Sequence, residues 1–256
     1  MTKNYKTELK DDGITLSAET KLLFGQCGPD KCVHLTEVMQ YCADFVMDLY
    51  TLKGYDRDFM TANGYAQMVS RSSFHINRLP KENDEITVTV REEKPESVQL
   101  MRYYSFVDSA NGDVLIEGKS LWVIVNPENR EVVTPENFKL LAKSDVQTET
   151  IAAKPGRIKI PSETEHLGDQ KILYSMIDGN GHLTNAKYIN FALDFLPDEY
   201  LSKKFTDFKI NFCKEIRKGD TMQVFGFFDN EKKRILIEGK IASSGERSFE
   251  CELIYR

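Results

Sequence analysis

Apolar residues recur along this chain with two alternating periods, and the order of those periods repeats. After a short apolar stretch at 20–24, read as a strand, Leu35, Val38, Met39, Cys42, Val46, Leu49 and Tyr50 fall at the spacing of one helix face. Gly54, tolerant of a left-handed backbone, ends that pattern. Four strand segments follow, at 68–79, 85–92, 98–108 and 114–125. Alternation is clearest in Ile86, Val88 and Val90 and in Leu100, Tyr104 and Phe106, with Ala110-Asn111-Gly112-Asp113 as the hairpin turn between the last two.

Residues 143–166 lose the periodicity and hold Pro155, Gly156 and Pro161 among Lys, Thr and Glu, the composition of a linker. The second half then repeats the order. A strand at 171–177 precedes a helix carrying Tyr188, Ile189, Ala192 and Leu196 on one stripe and ending at Pro197, and strands follow at 205–215, 221–228, 234–242 and 249–255. A central helix followed by four antiparallel strands buries its stripe only if the sheet curls around it. The expected architecture is therefore α+β, a tandem hot-dog, with each curled sheet wrapped around a long helix. Its first unit is 1–142, its linker 143–166 and its second unit 167–256.

Composition narrows the class. The chain has 256 residues, 41% hydrophobic and 29% charged, enough for two units that each bury a core. Its 34 basic and 40 acidic residues give a net charge of −6, which argues against a surface built for nucleic acid. Residues 1–12 carry Lys3, Lys6 and Lys10 without an apolar core or a small-residue cleavage site, so they do not read as a secretion signal. No apolar run approaches the ~20 residues of a membrane helix. Cys27, Cys32, Cys42, Cys213 and Cys251 form an odd set without a CxxC pair, which suits free thiols in a reducing cytoplasm and offers no metal site.

Candidate chemistry concentrates in Asp178-Gly-Asn180-Gly-His182-Leu-Thr, where three polar side chains recur every second residue ahead of a helix. A weaker copy, Asp30-Lys-Cys32-Val-His34-Leu-Thr, stands before the first helix and implies a duplication with one working copy. Alone, Asp-Gly-Asn-Gly is the composition of an ordinary turn. The histidine, the helix behind it and a glutamate on a later strand, Glu215, turn the balance toward catalysis. If the stretch is extended, Asp178, Asn180 and His182 project to one side, with Glu215 opposite. Alignment through Asp84 and Asp220 places Leu79 where Glu215 stands, so the first copy lacks that carboxylate. His34, His75 and His166 read as a relic of duplication, a strand residue and a linker residue.

This order of elements, with Asp178-x-Asn180-x-His182 and Asn185-Ala-Lys-Tyr188 behind it, resembles the acyl-acyl carrier protein (acyl-ACP) thioesterases of plant plastids and bacteria over nearly the whole chain. That family reads approximately Asp-x-Asn-x-His-x-Asn-Asn-x-x-Tyr, with a catalytic glutamate in an Arg/Lys-Glu pair before a Gly/Arg-rich turn, matched here by Lys214-Glu215 and Arg217-Lys218-Gly219-Asp220. Thr184 replaces the first Asn of the pair, which looks like an exchange of helix N-caps. Ile216 stands where many plant members carry a cysteine after the glutamate, which argues for attack by water.

The resemblance implies hydrolysis of fatty acyl-ACP thioesters with no cofactor. A thioester is already electrophilic and leaves as a thiolate, so the enzyme needs an activated water, a donor for the oxyanion and an apolar slot. Glu215 or Asp178 would activate the water, while His182 and Asn180 orient it. Backbone N–H groups in the first turn after His182 could hold the thioester oxygen. The first unit would be chemically silent and line the acyl pocket through Met39, Cys42, Val46, Ser73 and Trp122. Cys213 shares the strand face of Glu215 by the two-residue period and reads as a buried strand thiol near the site. Lysines and arginines crowd the second unit at Lys203-Lys204, Lys209, Lys214, Arg217-Lys218 and Lys232-Lys233-Arg234. They suit either an ordinary solvated face or docking of the family's acidic carrier protein.

Three rivals stay open. An acyl-coenzyme A thioesterase is separated by carrier preference at matched acyl chains, and a hot-dog dehydratase by an enoyl product without thiol release. A non-catalytic acyl-binding module would show no activity for Glu215 to support. A tandem fold supplies internally the pairing that single hot-dogs obtain by dimerising, yet two such chains can still associate, and a homodimer is expected slightly ahead of a monomer.

Overall fold

A computed structural model describes residues 5–134 and 144–256, so Lys143, the first residue of the expected linker, and the first four residues lie outside it. The chain divides into two compact units between Lys154 and Pro155.

The first unit opens with β1 (Glu8–Leu9) and β2 (Thr15–Lys21), followed by a 3-10 turn at Phe24–Gln26. α1 (Leu35–Leu52) and α2 (Arg57–Ala62) precede β3 (Ala66–Ile76), β4 (Glu85–Glu92), β5 (Leu100–Asp108) and β6 (Val114–Val125). The antiparallel sheet runs β1-β2-β4-β5-β6-β3. Its interior face is fixed by the two-residue period: Leu16 and Ala18, Val88 and Val90, Tyr104 and Phe106, and Phe74 alternate inward and are buried. They enclose the stripe of α1, in which Val38, Met39, Cys42, Phe45, Val46 and Leu49 are all buried. The helix stops as its sequence predicts: Gly54 takes φ +83°, and the Tyr55 amide donates to the Tyr50 carbonyl.

The second unit contains β7 (Glu165–Lys171), 3-10 turns at Tyr174–Met176 and Asn185–Lys187, α3 (Tyr188–Asp194), α4 (Asp198–Leu201), and β8 (Phe205–Phe212). β9 (Thr221–Asp229), β10 (Arg234–Ile241) and β11 (Arg247–Tyr255) complete it. Its sheet runs β8-β11-β10-β9-β7. Both units are hot-dogs, but only the first has a long central helix. In the second, one 3-10 turn and seven helical residues do the same job, and Leu196 lies beyond the helix end.

Several boundaries differ from expectation. The strands expected at 20–24 and 171–177 are instead the ends of β2 and β7, and the apolar residues after them lead into 3-10 turns. α2 was not foreseen; Asp56 caps it by accepting from the Phe59 amide at 2.8 Å. Part of the expected linker is fixed to the first unit. The Lys94 amide donates to the Val146 carbonyl at 2.9 Å, and the Thr148 amide to Glu93 Oε1 at 2.5 Å. Lys119 Nζ reaches the Thr148 carbonyl at 2.8 Å, and the Ile151 amide reaches Glu117 at 3.2 Å. The strap is built from polar bonds, which leave no hydrophobic period in the sequence.

The first unit also buries charge. Arg102 faces the interior beside Tyr104. Its Nη2 donates to the Tyr50 hydroxyl at 2.8 Å and lies 3.2 Å from Glu92, which also accepts from Lys53 at the end of α1. Arg102 and Glu92 are both buried.

Candidate active site

Asp178 to His182 does not run as an extended strand. The Asp178 amide donates to the His182 carbonyl at 2.9 Å and the Gly181 amide to the Asp178 carbonyl at 3.1 Å, closing a tight turn. Gly181 sits at φ +82°, the left-handed region that such a turn demands. Asp178 Oδ1 accepts from the Asn180 amide at 2.8 Å, a side-chain-closed turn within the larger one. The consequence is a separation of the three residues that alternation had placed together. Asp178 and His182 stand at the two ends of the turn, half-buried, and Asn180 is exposed at its tip.

His182 is held in place by the next segment. The Leu183 amide donates to the Ile216 carbonyl at 2.9 Å, and His182 bridges to Arg217 in antiparallel pairing. This brings His182 Nε2 to 3.2 Å from Glu215 Oε2, with the side chains 18% and 29% exposed. The pair is screened but reachable by water.

Glu215 is not on a strand. β8 stops at Phe212, because the amides of Cys213 and Lys214 both turn to one acceptor, the Ser248 carbonyl, at 2.9 and 3.1 Å. Ser248 Oγ donates back to the Lys214 carbonyl at 2.6 Å and lies 3.5 Å from the Tyr188 hydroxyl. Ser248 thus grips the segment before Glu215 twice, and Tyr188 backs it from α3. Burial pushes the Tyr188 hydroxyl up to about 12, against the lowering contacts of Ser248 and the Ile216 backbone; the charges of Glu215 and Asp178 add to the rise. Sequence reading placed Tyr188 on a helix stripe and did not single out Ser248, since a lone serine on a strand carries no signal of this grip. Cys213 is exposed past the end of β8, not buried on its face.

Thr184 occupies the N-cap position of the turn at Asn185–Lys187 but makes no side-chain capping bond there. Its hydroxyl and amide both reach the Met176 carbonyl, at 3.1 and 3.0 Å, so it ties the loop together instead.

The first unit repeats this framework bond for bond, two residues out of step with the sequence match. Gly28 N donates to the Cys32 carbonyl as Asp178 does to that of His182, and Lys31 N to Gly28 O as Gly181 to Asp178. Val33 N binds Pro80 O as Leu183 binds Ile216, and Cys32 bridges Lys81 as His182 bridges Arg217. Gly28, Asp30 and Cys32 are therefore the counterparts of Asp178, Asn180 and His182, whereas the apparent repeat equated Asp30 and His34 with Asp178 and His182. His34 matches Thr184, and the same bonding frame puts Leu79 opposite Glu215. The first copy retains neither member of the His182–Glu215 pair.

Of the expected acyl-lining residues, Met39, Cys42 and Val46 lie buried on the α1 stripe. Trp122 shares the interior face, with its Nε1 2.6 Å from Ser120 Oγ and 3.2 Å from the Tyr104 hydroxyl. Ser73 does not join them: Phe74 packs on Tyr104 inside, so Ser73, one residue away and paired with Lys119, lies on the opposite face.

Comparison with known proteins bears on the family and the fold of the chain. The model of the acyl-ACP thioesterase N-terminal domain matches residues 14–139, and that of the C-terminal domain matches residues 161–256. The chloroplastic acyl-[acyl-carrier-protein] hydrolase FATB2 of Cuphea viscosissima is 23% identical over 203 residues, 74% of this chain and 49% of the plant protein. A chloroplastic palmitoyl-acyl carrier protein thioesterase of Cuphea hookeriana matches to the same extent. The chain spans about half the length of these curated relatives. Among solved structures, an acyl-ACP thioesterase from Bacteroides thetaiotaomicron superposes with a TM-score of 0.84 at 19% identity, covering 94% of this chain and 98% of that one. The 12:0-ACP thioesterase of Umbellularia californica gives 0.79 at 15%, covering 94% and 97%. Two hot-dogs in tandem, each matched in order by its own half of one family, leave a single assignment: this chain belongs to the acyl-ACP thioesterase family.

Proposed function

We propose that this protein hydrolyses fatty acyl-ACP thioesters to the free fatty acid and the carrier thiol, using water activated at the His182–Glu215 pair. The observation that carries this reading is the 3.2 Å approach of His182 Nε2 to Glu215 Oε2 at the edge of the second unit, in a loop whose counterpart in the first unit has Cys32 and Leu79. Glu215 takes a proton from water, and the hydroxide adds to the thioester carbonyl. The tetrahedral intermediate collapses with loss of the thiolate, which recovers a proton. His182 orients the carboxylate and the water. Asp178, one oxygen of which is occupied by the Asn180 amide, shapes the turn and adds negative charge nearby. Asn180 at the tip is assigned to substrate contact. With the Leu183 and Thr184 amides donating to the Ile216 and Met176 carbonyls, oxyanion contact is assigned to the Asn185 and Ala186 amides at the start of the 3-10 turn; the helix behind it is short, so local N–H groups outweigh the macrodipole. Met39, Cys42, Val46 and Trp122 are assigned to the acyl chain.

The test is thiol release from carrier thioesters of short to long acyl chains, compared with coenzyme A thioesters of the same chains. Glu215→Gln is expected to lose roughly 10²–10⁴-fold in kcat, the usual contribution of a positioned base, while unfolding as the wild type does. A fully active Glu215→Gln protein sinks the mechanism. Preference for coenzyme A at matched chain length sinks the carrier assignment.

A further inference from the structure

The two copies agree in backbone and disagree in charge around one exposed feature. Leu173 and Tyr174 enter the 3-10 turn ahead of the His182 loop and are 49% and 82% exposed; their counterparts Leu23 and Phe24 are 51% and 81% exposed. In each unit, then, a large apolar pair stands in solvent beside the same loop. In the second unit it is ringed by cations. Lys218 Nζ lies 5.8 Å from the centre of the Tyr174 ring, Lys187 donates to the Ser175 carbonyl, and Arg217 is exposed next to them. Among the described residues, none of these three cations has a carboxylate partner. The matched bonds of the two loops put Glu37, Lys81 and Glu82 at the positions of Lys187, Arg217 and Lys218. Two of the three cationic positions beside Tyr174 are thus held by carboxylates in the first unit, with Lys81 as the third.

We propose that the turn at Leu173 and Tyr174, with Lys187, Arg217 and Lys218, is the surface on which the acidic carrier protein docks to present its thioester. This rests on the hydrolase reading above. Three arguments select that occupant. The charge reversal follows the chemistry: the basic rim belongs to the copy that holds His182 and Glu215, the acidic rim to the copy that holds Cys32 and Leu79. Second, the chain carries −6 overall, so an acidic partner is repelled at long range and is oriented only by a local basic patch. Finally, the patch borders the reactive pair, since Arg217 is the bridge partner of His182. Tyr174 supplies the aromatic anchor that protein interfaces favour.

The experiment measures kcat and KM with one acyl chain on three leaving thiols: carrier protein, coenzyme A and uncharged pantetheine. Lys218→Glu, Tyr174→Ala and the mirror variant Phe24→Ala are compared with wild type, each checked by thermal unfolding. The expected result is a KM for the carrier thioester raised about fivefold or more in Lys218→Glu and Tyr174→Ala, with kcat kept, and a carrier-to-pantetheine ratio of kcat/KM that falls in step. Phe24→Ala should stay within about twofold of wild type. An unmoved carrier KM in both second-unit variants, an equal loss on all three thiols, or an equal loss in Phe24→Ala would overturn the docking surface. A loss in either Lys218→Glu or Tyr174→Ala that is as large on coenzyme A as on the carrier, with pantetheine unmoved, reassigns the patch to binding of a small phosphate-bearing or nucleotide group and overturns it too. Wild-type protein inert on all three substrates removes the hydrolase reading, a different failure from active enzyme with an unmoved KM.

Discussion

Ser248 shows how much one side chain can set at a distance from the chemistry. Its carbonyl and hydroxyl together hold Cys213 and Lys214, and Glu215 follows directly. Ser248→Ala leaves the Lys214 carbonyl without that donor. It is expected to lower kcat on the order of tenfold or more through misplacement of Glu215, with KM little changed. Ser248→Thr, which keeps the hydroxyl, should recover most of it; a loss in KM instead of kcat would count against a positioning role. Cys213→Ala should keep near wild-type thiol release, since Glu215, not a thiol, holds the ring nitrogen of His182. Tyr188 gives a pH prediction. Its hydroxyl is raised from an ordinary value near 10 to about 12 in the folded chain. Below pH ~10 both states hold the proton; above it the unfolded chain releases it first, so folding stability falls as pH climbs from about 10 towards 12. Thermal midpoints across that range should fall less steeply for Tyr188→Phe than for the wild type.

Elements were legible where burial writes a period. β4 and β6 match their expected ends, 85–92 and 114–125, because β4 alternates fully between buried and half-exposed positions and β6 is a long, almost continuously buried run between β5 and β3. β7 was not legible: it is an edge strand pairing only with β9, its sequence is Glu-His-Leu-Gly-Asp-Gln-Lys, and none of its residues is buried. Without a buried face there is no alternation to see. The Asp178–His182 stretch closes as a turn instead of extending, for a related reason, since polar residues alternating with glycine carry no buried face that would mark a strand. Its residues were identified from composition, but their separation depended on the left-handed Gly181 and on the Asp178–His182 bond. The cluster at the end of α1 carries a stability prediction at this scale. Glu92 is buried between Arg102 and Lys53, so Glu92→Gln strands two cations and should cost about 3–5 kcal/mol in urea unfolding. A double replacement of Arg102 and Glu92 by apolar residues of similar volume should recover much of that loss. A Glu92→Gln midpoint equal to that of the wild type would show the cluster to be neutral.

At the scale of the whole molecule, the duplication was visible in sequence but its register was not. Asp-x-Cys-x-His-Leu-Thr and Asp-x-Asn-x-His-Leu-Thr align by letters, yet backbone bonds pair Cys32 with His182 and Val33 with Leu183. The letters misled because side-chain identity does not fix the register of a loop whose shape is set by main-chain bonds. The two loops share a main-chain frame and differ in the side chains mounted on it, which separates two properties usually met together. The frame specifies shape through amide and carbonyl groups that every residue possesses, so the side chains mounted on it can be exchanged without dismantling it. A loop of that kind is a socket for chemistry. This chain holds two such sockets, one carrying His182 and Glu215 and one carrying Cys32 and Leu79, and the second is the natural place to build a different activity.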